Sequence, residues 1–227
     1  GLGGADWFRL GDRDLALHVL RSHRLRAGEA LSAITDDLRQ RFGIGPRILP
    51  MSDDPVRTRI GTDQGWLDFQ DWFVRLRAEP LARAVQFAGV EKARAQPALL
   101  DALQAKPRGI VLCPSNPFIS IEPILALPGL RDAIKASGAP VVAVSPIIAG
   151  QAVKGPTARM FEALGITPSA AAVAARYGDL LHGYVMEEGD DADGIVPRVF
   201  HAETLMRNLD DKMNLARQVL AAIDALR

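Results

Sequence analysis

The chain has 227 residues, 48% hydrophobic and 24% charged, with 27 basic side chains against 27 acidic ones. That length suits one large domain with a sizeable core, and zero net charge speaks against a general nucleic-acid binder, which carries a basic excess. No apolar run reaches the roughly 18 residues of a membrane span and no secretory leader pattern opens the chain, so a cytoplasmic protein without membrane or nucleic-acid partners is expected.

In chain order, Leu15, Val19 and Leu20, then Leu31, Ile34, Leu38 and Phe42, recur at helical spacing and predict two helices over 12–43, broken at Gly28 and closed at Gly43. Arg47-Ile48-Leu49-Pro50 reads as a short strand before the polar turn Met51-Ser52-Asp53-Asp54-Pro55. Residues 57–62 and 66–69 alternate around Asp63-Gln64-Gly65 as a hairpin, 69–77 turns helical, and 84–87 is another strand. Helices are expected at 97–105, 119–127, 130–136, 157–164, 169–181 and 211–226, and late strands at 184–186 and 197–200.

Two continuously apolar runs dominate the second half. Gly109-Ile110-Val111-Leu112-Cys113 leads into Pro114-Ser115-Asn116-Pro117, and Val141-Val142-Ala143-Val144 leads into Ser145-Pro146. Such runs read as buried parallel strands, each followed by a helix. The order predicts an α/β, Rossmann-like three-layer fold with a mostly parallel sheet. Residues 1–90 form a helical and hairpin embellishment over the ligand edge, 91–227 form the core, and together they make one domain. Ligands of such sheets sit outside the carboxyl ends of the strands, where Ser115, Asn116 and Ser145 fall, which suits a phosphorylated ligand.

Several residue groups have both a chemical and a structural reading. Asp53 and Asp54 are adjacent carboxylates in a turn, suited either to Mg²⁺ or to accepting backbone N–H bonds. Asp12 either caps a helix or, with Arg13 and Asp14, meets substrate hydroxyls and phosphate. The two prolines around Ser115 and Asn116 favour a ligand turn. Asn116→Ala is accordingly expected to leave folding nearly intact and to weaken binding by roughly 1–3 kcal/mol. Lys154-Gly155 lies near a helix start without the spacing of a phosphate loop. Arg outnumbers Lys 22 to 5, through genome composition or phosphate binding. His18, His23, His182 and His201 have no metal-ligand spacing, and the tryptophans Trp7, Trp66 and Trp72 read as core. Cys113, the sole cysteine, reads as a small core residue that excludes a disulfide within the chain.

The segments Trp7-Phe8-Arg9-Leu10-Gly11-Asp12-Arg13-Asp14, Leu49-Pro50-Met51-Ser52-Asp53-Asp54-Pro55, Pro114-Ser115-Asn116-Pro117 with Ser120-Ile121, and Ser145-Pro146-Ile147-Ile148 with Lys154-Gly155-Pro156 closely resemble the 2-phospho-L-lactate transferase family of coenzyme F420 biosynthesis. Asp68-Phe69-Gln70 and Thr204-Leu205-Met206 resemble it too. The resemblance implies transfer of a phospholactyl or phosphoenolpyruvyl group from a guanosine diphosphate-linked donor to a deazaflavin alcohol, with Mg²⁺, release of GMP and a homodimer. It implies catalytic roles for Asp53 and Asp54, and substrate contacts from Asp12, Arg13, Asp14, Ser115, Asn116, Pro117, Ser145, Lys154 and Gly155; the metal ligands stay unassigned.

Members of that family open with a strand, a glycine-rich loop and an Asp-bearing stretch, none of which stands before Gly1. A polypeptide starting at Gly1 is therefore expected to bind poorly and not turn over. The alternative is a non-catalytic nucleotide-sugar-binding regulator of the related gluconeogenesis-factor family. Phe69-Gln70 and Ser115-Asn116-Pro117 favour the transferase.

Overall fold

A computed structural model describes residues 7–152 and 157–227. Its centre is a four-stranded sheet in the order β4 (Ile110–Leu112), β5 (Val141–Val144), β8 (Gly183–Glu187) and β9 (Arg198–Ala202). All three strand pairings are parallel, as the continuously apolar runs predict. Val142, Val144 and Val185 point to one face and pack under Leu215, Val219 and Ile223 of α8 (Leu209–Asp224). The other face carries Leu112, Val141, Ala143, Tyr184 and Met186, covered by Leu103 of α3 (Pro97–Gln104), Leu130 and Ile134 of α5 (Leu130–Ala136), and Val173 and Tyr177 of α7 (Ala170–Tyr177). Helices on both faces of a parallel sheet make the three-layer α/β fold.

Short elements complete this half: α4 (Glu122–Leu125), α6 (Thr157–Ala163), and a small hairpin of the two-residue strands β6 (Ile147–Ile148) and β7 (Gln151–Ala152). A second sheet, ordered β2 (Gly65–Asp68), β1 (Arg57–Thr62), β3 (Ala84–Ala88), is antiparallel and contains the expected hairpin. A π-helical turn, Asp71–Arg75, follows it. Ile60 and Trp72 of this layer belong to the same apolar cluster as Leu112 and Phe118. No helix of the described residues is long and apolar enough to cross a membrane.

Three expectations are corrected here. Arg47–Pro50 forms no strand: it lies toward the surface and Pro50 has no N–H to donate. Cys113 is exposed, and Val111 is 38% exposed. The reason is position, because β4 is the edge of its sheet and α8 leaves the β4 side of its face partly open. Trp66 is half-exposed on β2, whereas Trp72 is core.

The two predicted helices form as α1 (Asp12–Arg26) and α2 (Leu31–Arg41), yet α1 buries no residue fully. They are joined by ions. Arg24 Nη1 donates to Asp37 at 2.6 Å, and Arg24 Nε and Nη2 hold Glu29 at 3.1 and 2.7 Å. Arg41 also holds Asp37, and Arg39 holds Asp36. The Arg24 guanidinium lowers the Glu29 carboxyl; Arg41, then Arg24, lower Asp37; Arg39, then Gln40, lower Asp36. Carboxyls lowered in the folded state stabilise it fully above about pH 4 and lose that contribution as pH falls through the folded values. Amide protection factors across α1 and α2 are therefore expected to drop between about pH 5 and pH 2, ahead of those in β5 and β8. Equal loss of protection in both regions would contradict this.

Candidate active site

The carboxyl ends of β4, β5 and β8 bring three turns to one edge. After β4, Asn116 caps the π-helical turn Pro117–Ile121: its Oδ1 accepts from Phe118 N at 2.9 Å and Ile119 N at 3.3 Å. Its Nδ2 points at Met160 Sδ, 3.5 Å away on α6, and the side chain is buried. Pro117, also buried, sets the backbone of the first turn. Ser115 is partly buried, and its hydroxyl has no hydrogen-bond partner among the described residues.

After β5, the Ser145 hydroxyl is closed on its own turn, accepting from Ile147 N at 3.1 Å and lying 3.0 Å from Ile147 O. Ser145 N donates to Val185 O at 2.8 Å, tying the turn to β8. After β8, Asp190 Oδ1 accepts from Ala149 N at 2.8 Å, strapping the β6–β7 turn. Asp190 Oδ2 and the Tyr184 hydroxyl are buried without partners among the described residues. Burial pushes the Tyr184 phenol up and keeps it protonated. Glu187, at the end of β8, accepts from Thr204 N at 2.7 Å.

The other candidates have different partners. Asp53 Oδ1 accepts from Ser32 N at 2.7 Å, and its Oδ2 accepts from Ser32 Oγ and Gln96 Nε2 at 2.8 and 3.0 Å. Asp54 Oδ2 accepts from Arg94 N at 2.9 Å. Both line a cavity of about 550 Å³ with Arg94, Gln96, Pro97 and Leu100. No hydrogen bond or ion pair among the described residues links them to Ser115, Asn116 or Ser145. Asp12, Arg13 and Asp14 are exposed at the start of α1, where Gly11 rather than Asp12 is the N-cap residue. Lys154 and Gly155 lie outside the described residues.

These bonds bear on magnesium. Asp53 spends both its oxygens on protein donors, and the described residues hold no cluster of three or more His, Cys, Asp or Glu side chains able to take a metal ion. Asp53 thus serves its turn rather than an all-protein metal cluster, whereas Asp54 Oδ1 accepts no hydrogen bond among the described residues.

The capping geometry changes the expected behaviour of Asn116. The sequence places it in a loop where alanine costs the fold little; the buried cap shows otherwise. Asn116→Ala is expected to lower stability by about 1–2 kcal/mol, and Asn116→Asp by less, because the carboxylate keeps the acceptor for Phe118 and Ile119. A urea midpoint equal to that of the parent for Asn116→Ala would contradict the cap.

Sequence reasoning passed over Tyr184, Glu187 and Asp190. The signal available was weak: a tyrosine inside a strand, and acids in the turn beyond it.

Solved structures and curated relatives place this arrangement. The crystal structure of protein BH3568 from Bacillus halodurans superposes with a TM-score of 0.63 at 14% identity, covering 90% of this chain and 70% of that one. A second crystal structure, of BH3568 described as a member of the UPF0052 family, gives a TM-score of 0.59 at 12% identity, covering 87% of this chain and 69% of that one. At such identities the likeness establishes the α/β fold alone. The family model of 2-phospho-L-lactate transferase CofD matches residues 5–222. The 2-phospho-L-lactate transferase of Methanosarcina mazei is 42% identical, over 97% of this chain and 74% of its own length. The phosphoenolpyruvate transferase of Kitasatospora aureofaciens is 41% identical, over 99% of this chain and 73% of its own length. The chain belongs to the CofD family of 2-phospho-L-lactate transferases.

Proposed function

We propose that this chain transfers a phospholactyl or phosphoenolpyruvyl group from a guanosine diphosphate-linked donor to the hydroxyl of a deazaflavin alcohol, releasing GMP, as a step of coenzyme F420 formation. The observation that carries the reading is the match, over 97–99% of this chain and 73–74% of each relative, to proteins named for transfer of these two three-carbon groups. In the step, the acceptor oxygen attacks the phosphorus that bears the three-carbon acid. The bond from that phosphorus to the oxygen bridging to the GMP phosphate breaks, and the hydroxyl proton leaves. Such displacement depends on alignment and charge neutralisation rather than on a covalent intermediate.

The strand-end turns supply the alignment in this reading. The Asn116 cap and the Ser145 turn set rigid walls, and the Ser115 hydroxyl, without a hydrogen-bond partner among the described residues, would donate to a phosphate oxygen. Magnesium, when bound, would neutralise charge on the donor's diphosphate, and Asp53, already holding Ser32 and Gln96, would not supply its ligands. Asp53 and Asp54 tie their turn to Ser32, Arg94 and Gln96.

The test combines a full-length parent protein containing this chain with either donor, deazaflavin alcohol and Mg²⁺, follows GMP by chromatography, and runs the 227-residue chain alone beside it, where no turnover is expected. GMP is expected only when donor and acceptor are both present. Its absence with both donors in the full-length protein would discard transfer and favour a non-catalytic nucleotide-sugar binder.

A further inference from the structure

Pro123 gives the turn after β4 its unusual form. It has no N–H to return to the carbonyl of Ile119, and its ring crowds that carbonyl. The backbone therefore widens into the π-helical turn Pro117–Ile121, closed by Glu122 N donating to Pro117 O. Such a turn has little stability of its own and persists where its surroundings hold it. Asn116 holds its start through the N–H groups of Phe118 and Ile119. Side chains from distant parts of the sequence hold the rest.

Phe118 is 1% exposed and is met from two helices. The Phe161 ring of α6 approaches it edge-on, with centroids 4.7 Å apart. The Arg176 guanidinium of α7 lies over its ring, 4.8 Å from the centre. Arg176 is itself fixed: its Nε donates to Glu122 Oε1 at 2.7 Å, and its Nη2 donates to the same oxygen. Glu122 thus serves the turn twice, closing its backbone and, through Arg176, holding the ring inside it. An exposed ion pair would contribute little. Here the Glu122 side chain is only 20% exposed, and burial pushes its carboxyl up in spite of Arg176. The flat guanidinium spread over a buried ring adds an attraction that lysine would not match.

Phe118 N is bound to Asn116 Oδ1, so a ring free to shift would take the cap and the strand-end turn with it. We infer that Arg176 and Glu122 are positioning residues: through the Phe118 ring they hold the turn so that the Ser115 hydroxyl meets the donor's diphosphate, a role toward the donor that rests on the transfer reading above.

Amide exchange by NMR and binding of guanosine diphosphate by calorimetry test this in a full-length parent protein containing this chain. In Arg176→Ala, exchange at Phe118 and Ile119 should speed at least about tenfold, while the amides of β5 stay within about twofold. The dissociation constant for guanosine diphosphate should rise at least about fivefold. In turnover, KM for the donor should rise with kcat kept within about twofold, as for lost ground-state binding. Arg176→Lys keeps a charge for Glu122 without the flat group over the ring, and should fall between parent and alanine. Arg176→Ala combined with Glu122→Gln leaves no carboxylate stranded, and should be no worse than Arg176→Ala alone, because both residues act through one ring. Unchanged exchange at Phe118 and Ile119 overturns the clamp, and so does equal acceleration in β5, which marks a general loss of stability. Local acceleration with unaltered guanosine diphosphate affinity and donor KM overturns the positioning role, as does a parent protein that binds no guanosine diphosphate. A parent that binds it and releases no GMP counts against transfer alone, and the exchange and binding results still decide the clamp.

Discussion

Trp72→Ala is expected to destabilise the protein by about 4 kcal/mol. Trp72 is 2% exposed, and its indole Nε1 donates to Pro80 O at 2.7 Å. Its carbonyl accepts from Ala78 N at 2.8 Å, across a turn in which Arg77 and Ala78 both hold positive φ, 51° and 55°. The side chain thus fills the core and pins a turn of unfavourable backbone geometry. Trp72→Phe keeps most of the volume but leaves Pro80 O without its donor, and should cost less than alanine. The same experiment tests domain organisation. Ile60 and Trp72 share one apolar cluster with Leu112 and Phe118, so urea unfolding of the alanine variant should remain a single transition at a lower midpoint. Separate melting of the antiparallel sheet would show that the two layers stand alone.

Gly89→Ala is the second large effect, at about 2–3 kcal/mol. Gly89 has φ +92°, and a Cβ built on it would lie 2.6 Å from the carbonyl oxygen of Pro55. That oxygen is backbone and cannot swing aside as a long side chain does. Gly28 provides the control, with φ +88° and nothing within 4 Å of its Cβ position. Gly28→Ala should cost only about 1 kcal/mol. Thermal or urea unfolding of the two variants side by side checks the difference, and equal losses would mean that the approach to Pro55 is not tight.

The strands were legible where burial is on both faces, because a central strand needs no alternation. Val141–Val144 is buried throughout and reads so from residue type alone. Cys113 and Val111 were not legible, because being at an edge depends on strand order, which no local pattern encodes. The helical period of α1 predicted a helix correctly, but period says nothing about which face meets the protein. The folded chain turns Arg24 inward and Val19 outward. Site residues were legible as turns rather than as chemistry. Pro114-Ser115-Asn116-Pro117 does lie at a strand end, but whether Asn116 serves a ligand or the chain depends on Phe118 and Ile119, whose N–H groups it takes. Likewise Asp53 and Asp54 were recognisable as adjacent carboxylates, while their donors come from Ser32, Arg94 and Gln96, remote in sequence.

The exposure of Cys113 sets the valency of the protein toward oxidants. It is the sole thiol of these 227 residues, so oxidation through them can join at most two chains. It also lies two residues from Ser115. A fluorescent maleimide therefore attaches at one place per chain, within reach of the strand-end turn, and its alkylation rate serves as a clock for any ligand that closes over that turn.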